Sequence, residues 1–179
     1  ENSHLPLIKK VAATGKPVII STGLASISNL GETVETIRSA GCEEFILLKC
    51  TSTYPATPNS SNVLTIPHLR KLFNCEVGLS DHTLGIGASI AAIAHGATVI
   101  EKHFTLSRAD GGVDSAFSME PEEMKQLVVE AERAWQALGQ ISYGPTEAEK
   151  SSLTFRRSLY ITEDMKKGDV LTEKNLRIV

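Results

Sequence analysis

Two rhythms of apolar residues alternate along the first hundred positions. Short unbroken runs (Val18-Ile19-Ile20, Phe45-Ile46-Leu47-Leu48, Val77-Gly78-Leu79 and Val99-Ile100) each turn polar at their C-terminal end. Between them apolar residues recur every three or four positions, the period of an amphipathic helix. The continuous runs predict strands over 17–23, 45–52, 76–82 and 98–104. The periodic stretches predict helices through Leu5–Val11, Ile27–Ile37, Ile66–Leu72 and Ala88–His95. Ser3 is placed to cap the first helix and Gly15 to end it, while Gly41 and Gly96 close the second and fourth. Unbroken rather than alternating strands, separated by helices, imply βα units and a parallel sheet buried on both faces.

After the fourth run the pattern changes. A loop rich in Gly and Asp (107–118) leads to an amphipathic helix over 120–138, with Ser118 as its expected N-cap and Gly139 as its stop. Glu120, Glu122 and Glu123 suit the positive end of that helix's dipole. Residues 1–139 are therefore read as the α/β domain. Residues 140–153 are polar and carry a Thr146-x-x-Glu149 capping box, and are read as a linker. Beyond them, runs at 157–161 and 169–171 flank Lys167-Gly168, so residues 154–179 are expected to form a small β-rich module.

Composition narrows the function classes. Eighteen Lys and Arg stand against 21 Asp and Glu, a net charge of −3 with no basic block, which excludes nucleic acid or an anionic membrane surface as the main partner. No apolar run approaches the roughly 20 residues that span a bilayer. Cys42, Cys50 and Cys75 form neither an even set nor a CxxC pair, and are expected as reduced thiols of a cytoplasmic protein. Cys50 carries no sequence feature that would activate its thiol.

In a parallel α/β sheet or barrel, side chains at the C-terminal strand ends converge on one face. Here all four ends are polar: Ser21-Thr22, Thr51-Ser52, Ser80-Asp81-His82 and Glu101-Lys102-His103. Alternation puts Ser80 with His82, and Glu101 with His103, on common sides of their strands. His82 and His103 occupy equivalent positions on successive strands, so their imidazoles can meet. The pair reads either as two ligands of a divalent metal with open positions, or as hydrogen-bonded polar residues at the rim. His4, His68 and His95 fall on helices or loops and read as surface residues. Ser21, Ser52 and Ser80 could hold a phosphate or carboxylate, and Thr83-Leu84-Gly85-Ile86-Gly87 opens a helix whose amides favour an anion. Lys49 and Lys102 are candidate anion contacts, although alternation turns Lys102 away from His103.

The stretches ISTG (20–23), LLKCTSTYPA (47–56), GLSDHTLGIGASIAAIAHGATVIEKHFTL (78–106) and GGVDSAFSMEPEEM (111–124) resemble the sialic acid synthase family. These synthases condense phosphoenolpyruvate with an N-acetylated amino sugar, releasing phosphate and forming a nonulosonic acid. The form GGVDSAFSMEP looks closest to pseudaminic acid synthases; N-acetylneuraminate, legionaminate and spore coat polysaccharide synthases are near neighbours. The resemblance implies the C-terminal half of a (β/α)8 TIM barrel followed by the start of an antifreeze-like domain, in a protein that forms a domain-swapped homodimer when full length.

By the same resemblance, His82 and His103 bind Mn2+ or Mg2+, and Ser21, Ser52 and Ser80 contact phosphoenolpyruvate. Ser52 stands where neuraminate synthases often have Asn. Tyr54 and Asp114 are expected at the acceptor sugar. Glu1 matches the Glu closing the family's fourth-strand KIAS-x-E pattern, and with Asp114 is a candidate catalytic residue. A complete barrel needs about 250 residues, and four strands are legible. The chain is therefore expected to be part of a longer polypeptide, with phosphate-gripping residues before Glu1 and an Arg-Pro-Gly after Val179. A noncatalytic fragment of such an enzyme is the alternative reading.

Overall fold

Four parallel strands stand side by side in chain order: β1 (Val18–Ser21), β2 (Phe45–Cys50), β3 (Glu76–Asp81) and β4 (Ile100–Lys102). The computed structural model describes residues 2–179, and the chain divides into two compact units, Glu1–Gly139 and Gln140–Val179. The curled sheet belongs to the first unit. Its helices are α1 (Leu5–Ala12), α2 (Ile27–Ser39), α3 (Thr65–Phe73), α4 (Gly87–Ala94) and α5 (Pro121–Leu138).

Two apolar clusters join helices to sheet. Ile8 and Ala12 of α1 and Val34 and Ile37 of α2 pack with Val18, Phe45 and Leu47. Ile66 and Leu69 of α3 and Ala92 of α4 pack with Val77 and Leu79. Burial on both faces holds for β3 from Val77 onward, but not for β1, where Ile19 is 55% exposed. Ile19 points to the concave side of a half-barrel, which has no opposite wall within these residues.

Local chemistry moves several boundaries. The first helix is not capped by Ser3: His4 occupies the N-cap without a side-chain bond, because Pro6 sets the first turn, and the helix ends at Ala12 ahead of Gly15. In α2, Ser26 and Asn29 bond reciprocally, Asn29 N donating to Ser26 Oγ at 3.2 Å and Ser26 N to Asn29 Oδ1 at 3.1 Å. The N-cap of α5 is Glu120 rather than Ser118, its amide donating to Glu123 Oε2 at 2.9 Å. Ser118 instead turns its hydroxyl to the Asp114 carbonyl at 2.7 Å. The strand expected over 98–104 shortens to three residues, since Phe104 leaves the sheet to bridge Met119.

In the second unit Thr146 and Glu149 cap a 3-10 helix over Glu147–Phe155, Thr146 N donating to Glu149 Oε2 at 2.8 Å. β5 (Leu159–Ile161) pairs antiparallel with β6 (Leu176–Ile178), while the run at 169–171 forms no strand. Asp169 accepts from Lys166 N and Asn175 from Thr172 N, each at 2.7 Å, so side chains draw this stretch into turns. No helix among the described residues is long and apolar enough to cross a membrane.

Candidate active site

Register decides which polar residues meet. β3 and β4 align Ser80 with Glu101 and Asp81 with Lys102, so the next positions, His82 and His103, leave the sheet side by side. On the concave side Ser80 donates to Glu101 Oε1 at 2.7 Å. On the helix side Lys102 Nζ meets Asp81 Oδ2 at 3.2 Å. The alternation read from the sequence thus separates an open face from a buried one.

Ser21, Ser52, Tyr54, Ser80, His82 and His103 line one cavity of about 270 Å³. Its wall is completed by Asn2, Gly23, Cys50 and Glu101, none of which was expected to contact substrate. Glu101 was legible as sharing the His103 side of β4. Gly23 was not, because its reason is tertiary: a Cβ there would collide with Ser52 Oγ and lie 3.1 Å from Cys50 Sγ. Asn2 holds the mouth of β1 by donating to Ser21 O at 3.0 Å and Gly23 O at 2.9 Å. A larger cavity of about 440 Å³ beside β1 is lined mainly by apolar residues such as Leu7, Val11 and Ile19, with Asn2 and Ser21 at its polar side, so size alone does not mark the chemistry. Glu1 lies outside the described residues.

The imidazoles of His82 and His103 stand edge to face with centroids 5.1 Å apart. His82 Nδ1 donates to the Thr51 carbonyl at 2.8 Å, which leaves the Nε2 lone pair free. His103 Nδ1 lies 3.4 Å from Asp114 Oδ2, an ion-pair contact without hydrogen-bond geometry. A carbonyl or carboxylate behind an imidazole is the usual support of a metal-binding histidine. These two donors fit a divalent ion that takes its remaining ligands from substrate or water. No group of three or more His, Cys, Asp or Glu converges among the described residues. Tyr54, with its ring centroid 4.3 Å from that of His82, and Phe117, 5.0 Å from His103, wall the pair.

Asp114 and Phe117 reach His103 because the loop after β4 folds back on it. Met119 N donates to His103 O at 2.8 Å and Thr105 N to Met119 O at 2.9 Å. Arg108 fastens the loop's base, donating to Ser118 O at 3.0 Å and to Glu123 Oε2 at 2.5 Å. The Arg108 guanidinium, and then the Glu120 amide, hold the Glu123 carboxyl below its ordinary value. A depressed folded pKa stabilises the fold above the unfolded value, about 4.3, and that contribution is lost as pH falls through the folded value. Opening of the 105–119 loop, read as hydrogen exchange of its amides relative to their intrinsic rates at each pH, is therefore expected to rise below about pH 4. In Glu123→Gln the part of that rise due to this group should vanish; an unchanged pH profile would contradict the clamp.

The two lysines suggested as anion contacts do other things. Lys102 is buried against Asp81. Lys49 donates to Cys50 O at 3.0 Å and Thr51 Oγ1 at 3.2 Å on the far side of the sheet. Burial lowers the pKa of its ammonium. Cys50 is buried in the cavity wall, its sulfur 3.8 Å from Ser52 Oγ. His4, His68 and His95 are exposed.

A sequence profile described as the NeuB family matches residues 1–143. The N,N'-diacetyllegionaminic acid synthase of Campylobacter jejuni is 38% identical over 98% of the chain and 54% of its own length. The pseudaminic acid synthase of the same species is 39% identical over 96% of the chain and 50% of its own length. The chain thus spans about half the length of these relatives. Among solved structures, the N-acetylneuraminic acid synthetase of Leptospira borgpetersenii, crystallised with citrate, superposes with a TM-score of 0.78 at 35% identity. That match covers 87% of the chain and 54% of the synthetase.

Proposed function

The chain belongs to the NeuB family, and from that premise we propose that it carries the active-site strands of a synthase joining phosphoenolpyruvate to an N-acetylated amino sugar. The product is a nonulosonic acid, and phosphate is released. The observation that carries this reading is the meeting of three serine hydroxyls, two imidazoles and a tyrosine in one cavity at the strand ends.

C3 of phosphoenolpyruvate attacks the aldehyde carbon of the open-chain sugar, water adds at C2, and phosphate leaves with cleavage of its C–O bond. Ser21 and Ser52 hold the donor's phosphate and carboxylate by hydroxyl and amide contacts, and Ser80 joins them when its one hydroxyl hydrogen turns from Glu101 to the donor. Ser80 engages one oxygen of Glu101, the carboxylate lining the cavity among the described residues, and the second can accept the proton of the attacking water. Tyr54 packs against the acceptor sugar, and Asp114, which lies 3.4 Å from His103 outside the cavity lining, reaches the sugar from the loop after β4. His82 and His103 would hold Mn2+ or Mg2+, which supplies Lewis-acid polarisation of the aldehyde oxygen when bound.

Identities of 38% to a legionaminic and 39% to a pseudaminic acid synthase do not separate the acceptors. The segment GGVDSAFSMEP favours the sugar that yields pseudaminic acid. The full-length protein should release phosphate from phosphoenolpyruvate only when an N-acetylated amino sugar is supplied, and mass and NMR of the product identify which. Phosphate release without any sugar, or pyruvate serving as donor, would overturn the reading.

A further inference from the structure

We propose that Lys102, which faces away from the cavity, is a positioning residue for His82. This rests on the reading of His82 and His103 as one ligand pair.

The side chain of Lys102 is 2% exposed and that of its partner Asp81 is 1% exposed. Lys102 Nζ donates to Asp81 Oδ2 at 3.2 Å, to the Thr83 carbonyl at 2.6 Å and to the Gly85 carbonyl at 2.9 Å. An ammonium has three hydrogens, so all are used. Asp81 is equally filled: Oδ1 accepts from Thr83 N at 2.8 Å and Oδ2 from Ser89 Oγ at 2.6 Å.

A buried ion pair is expensive to desolvate, and an apolar pair of the same volume often stabilises as well or better. What an apolar pair cannot do is hold carbonyls. Lys102 grips the residues on both sides of His82, Asp81 by its carboxylate and Thr83 by its carbonyl, and extends the grip to Gly85. Within that clamp the His82 carbonyl accepts from Ala56 N at 2.9 Å, and the ring meets Thr51 O. The turn at 81–83 therefore fixes the direction from which the imidazole enters the cavity. Because Lys102 precedes His103 on β4, one side chain ties together the two strand ends that present the imidazoles.

The test uses three forms of the full-length protein: wild type, Lys102→Met, and the double variant Asp81→Asn with Lys102→Met. The single variant strands a buried carboxylate and loses stability for that reason alone; the double variant removes both charges. With Mn2+ alone as the probe in calorimetry, both variants are expected to bind about 10- to 100-fold more weakly than wild type, the usual cost of losing a supporting shell. The 15N signals of the metal-free His82 ring should change from one Nδ1–H tautomer to a mixture. A double variant that binds Mn2+ as wild type does would overturn the proposal, because Lys102 would then serve only to neutralise Asp81. If wild type itself binds no Mn2+, the metal reading fails, and the ring signals decide the positioning role. A tautomer unchanged in both variants would refute it.

Discussion

Replacing either His82 or His103 by alanine in the full-length protein is expected to lower product formation by at least about 10³-fold, the scale of several kcal/mol of lost charge stabilisation. The two rings share one corner of the cavity; His82 Nδ1 is taken up by Thr51 O, which leaves its Nε2 free, and Asp114 Oδ2 stands 3.4 Å from His103 Nδ1. Neither can substitute for the other. Alanine at His4, His68 or His95 should leave turnover within about twofold, since exposed residues away from a site rarely matter. Steady-state assays with phosphate detection, run beside thermal melts, separate lost chemistry from lost fold. Turnover near wild type in either cavity variant would remove the pair from the mechanism.

Gly78→Ala should be the most damaging small substitution in the sheet. The missing Cβ leaves the space taken by Leu48 Cδ2, which a methyl would meet at 2.7 Å, and by the Val99 carbonyl oxygen, which it would overlap. That carbonyl cannot move freely, because it accepts from Leu79 N at 2.9 Å and seats the chain entering β4. Overpacking against backbone costs about 3 kcal/mol or more, which in a chain of this size lowers the melting temperature by roughly 6–12 °C. Gly31→Ala is the control. It lies on α2 with open space around its Cβ position, so the exchange should stabilise by about 0.5–1 kcal/mol. Equal effects of the two substitutions, measured by calorimetry, would show that packing at Gly78 is not as described.

The elements most legible in the sequence were those whose pattern comes from burial. Runs such as Phe45–Leu48 and the periodic positions of α2 and α3 announce themselves because one side of each must leave water. Boundaries set by local hydrogen bonds were less legible. Ser118 has the residue type of an N-cap, but its hydroxyl goes to the Asp114 carbonyl, and Glu120 with Glu123 starts the helix instead. The run at 169–171 departs from expectation for the same reason: it has strand composition, yet the Asp169 and Asn175 side chains satisfy its neighbours' amides in turns. At the cavity, period-two alternation was enough to foresee that Ser80 and His82, or Glu101 and His103, share a side.

The pattern of residue types and spacings along the chain carries the βα order, the polar strand ends, and the SDHT and EKH motifs that mark the family resemblance. It did not determine which residues from different strands meet. Only the register of β3 on β4 sets Ser80 against Glu101 and Asp81 against Lys102, and only the return of the 105–119 loop brings Asp114 and Phe117 to His103. Gly23 and Gly78 matter through atoms 21 or more residues away, so no local pattern could reveal them. Contacts of that kind come from packing and strand pairing across the chain, which local spacing does not specify.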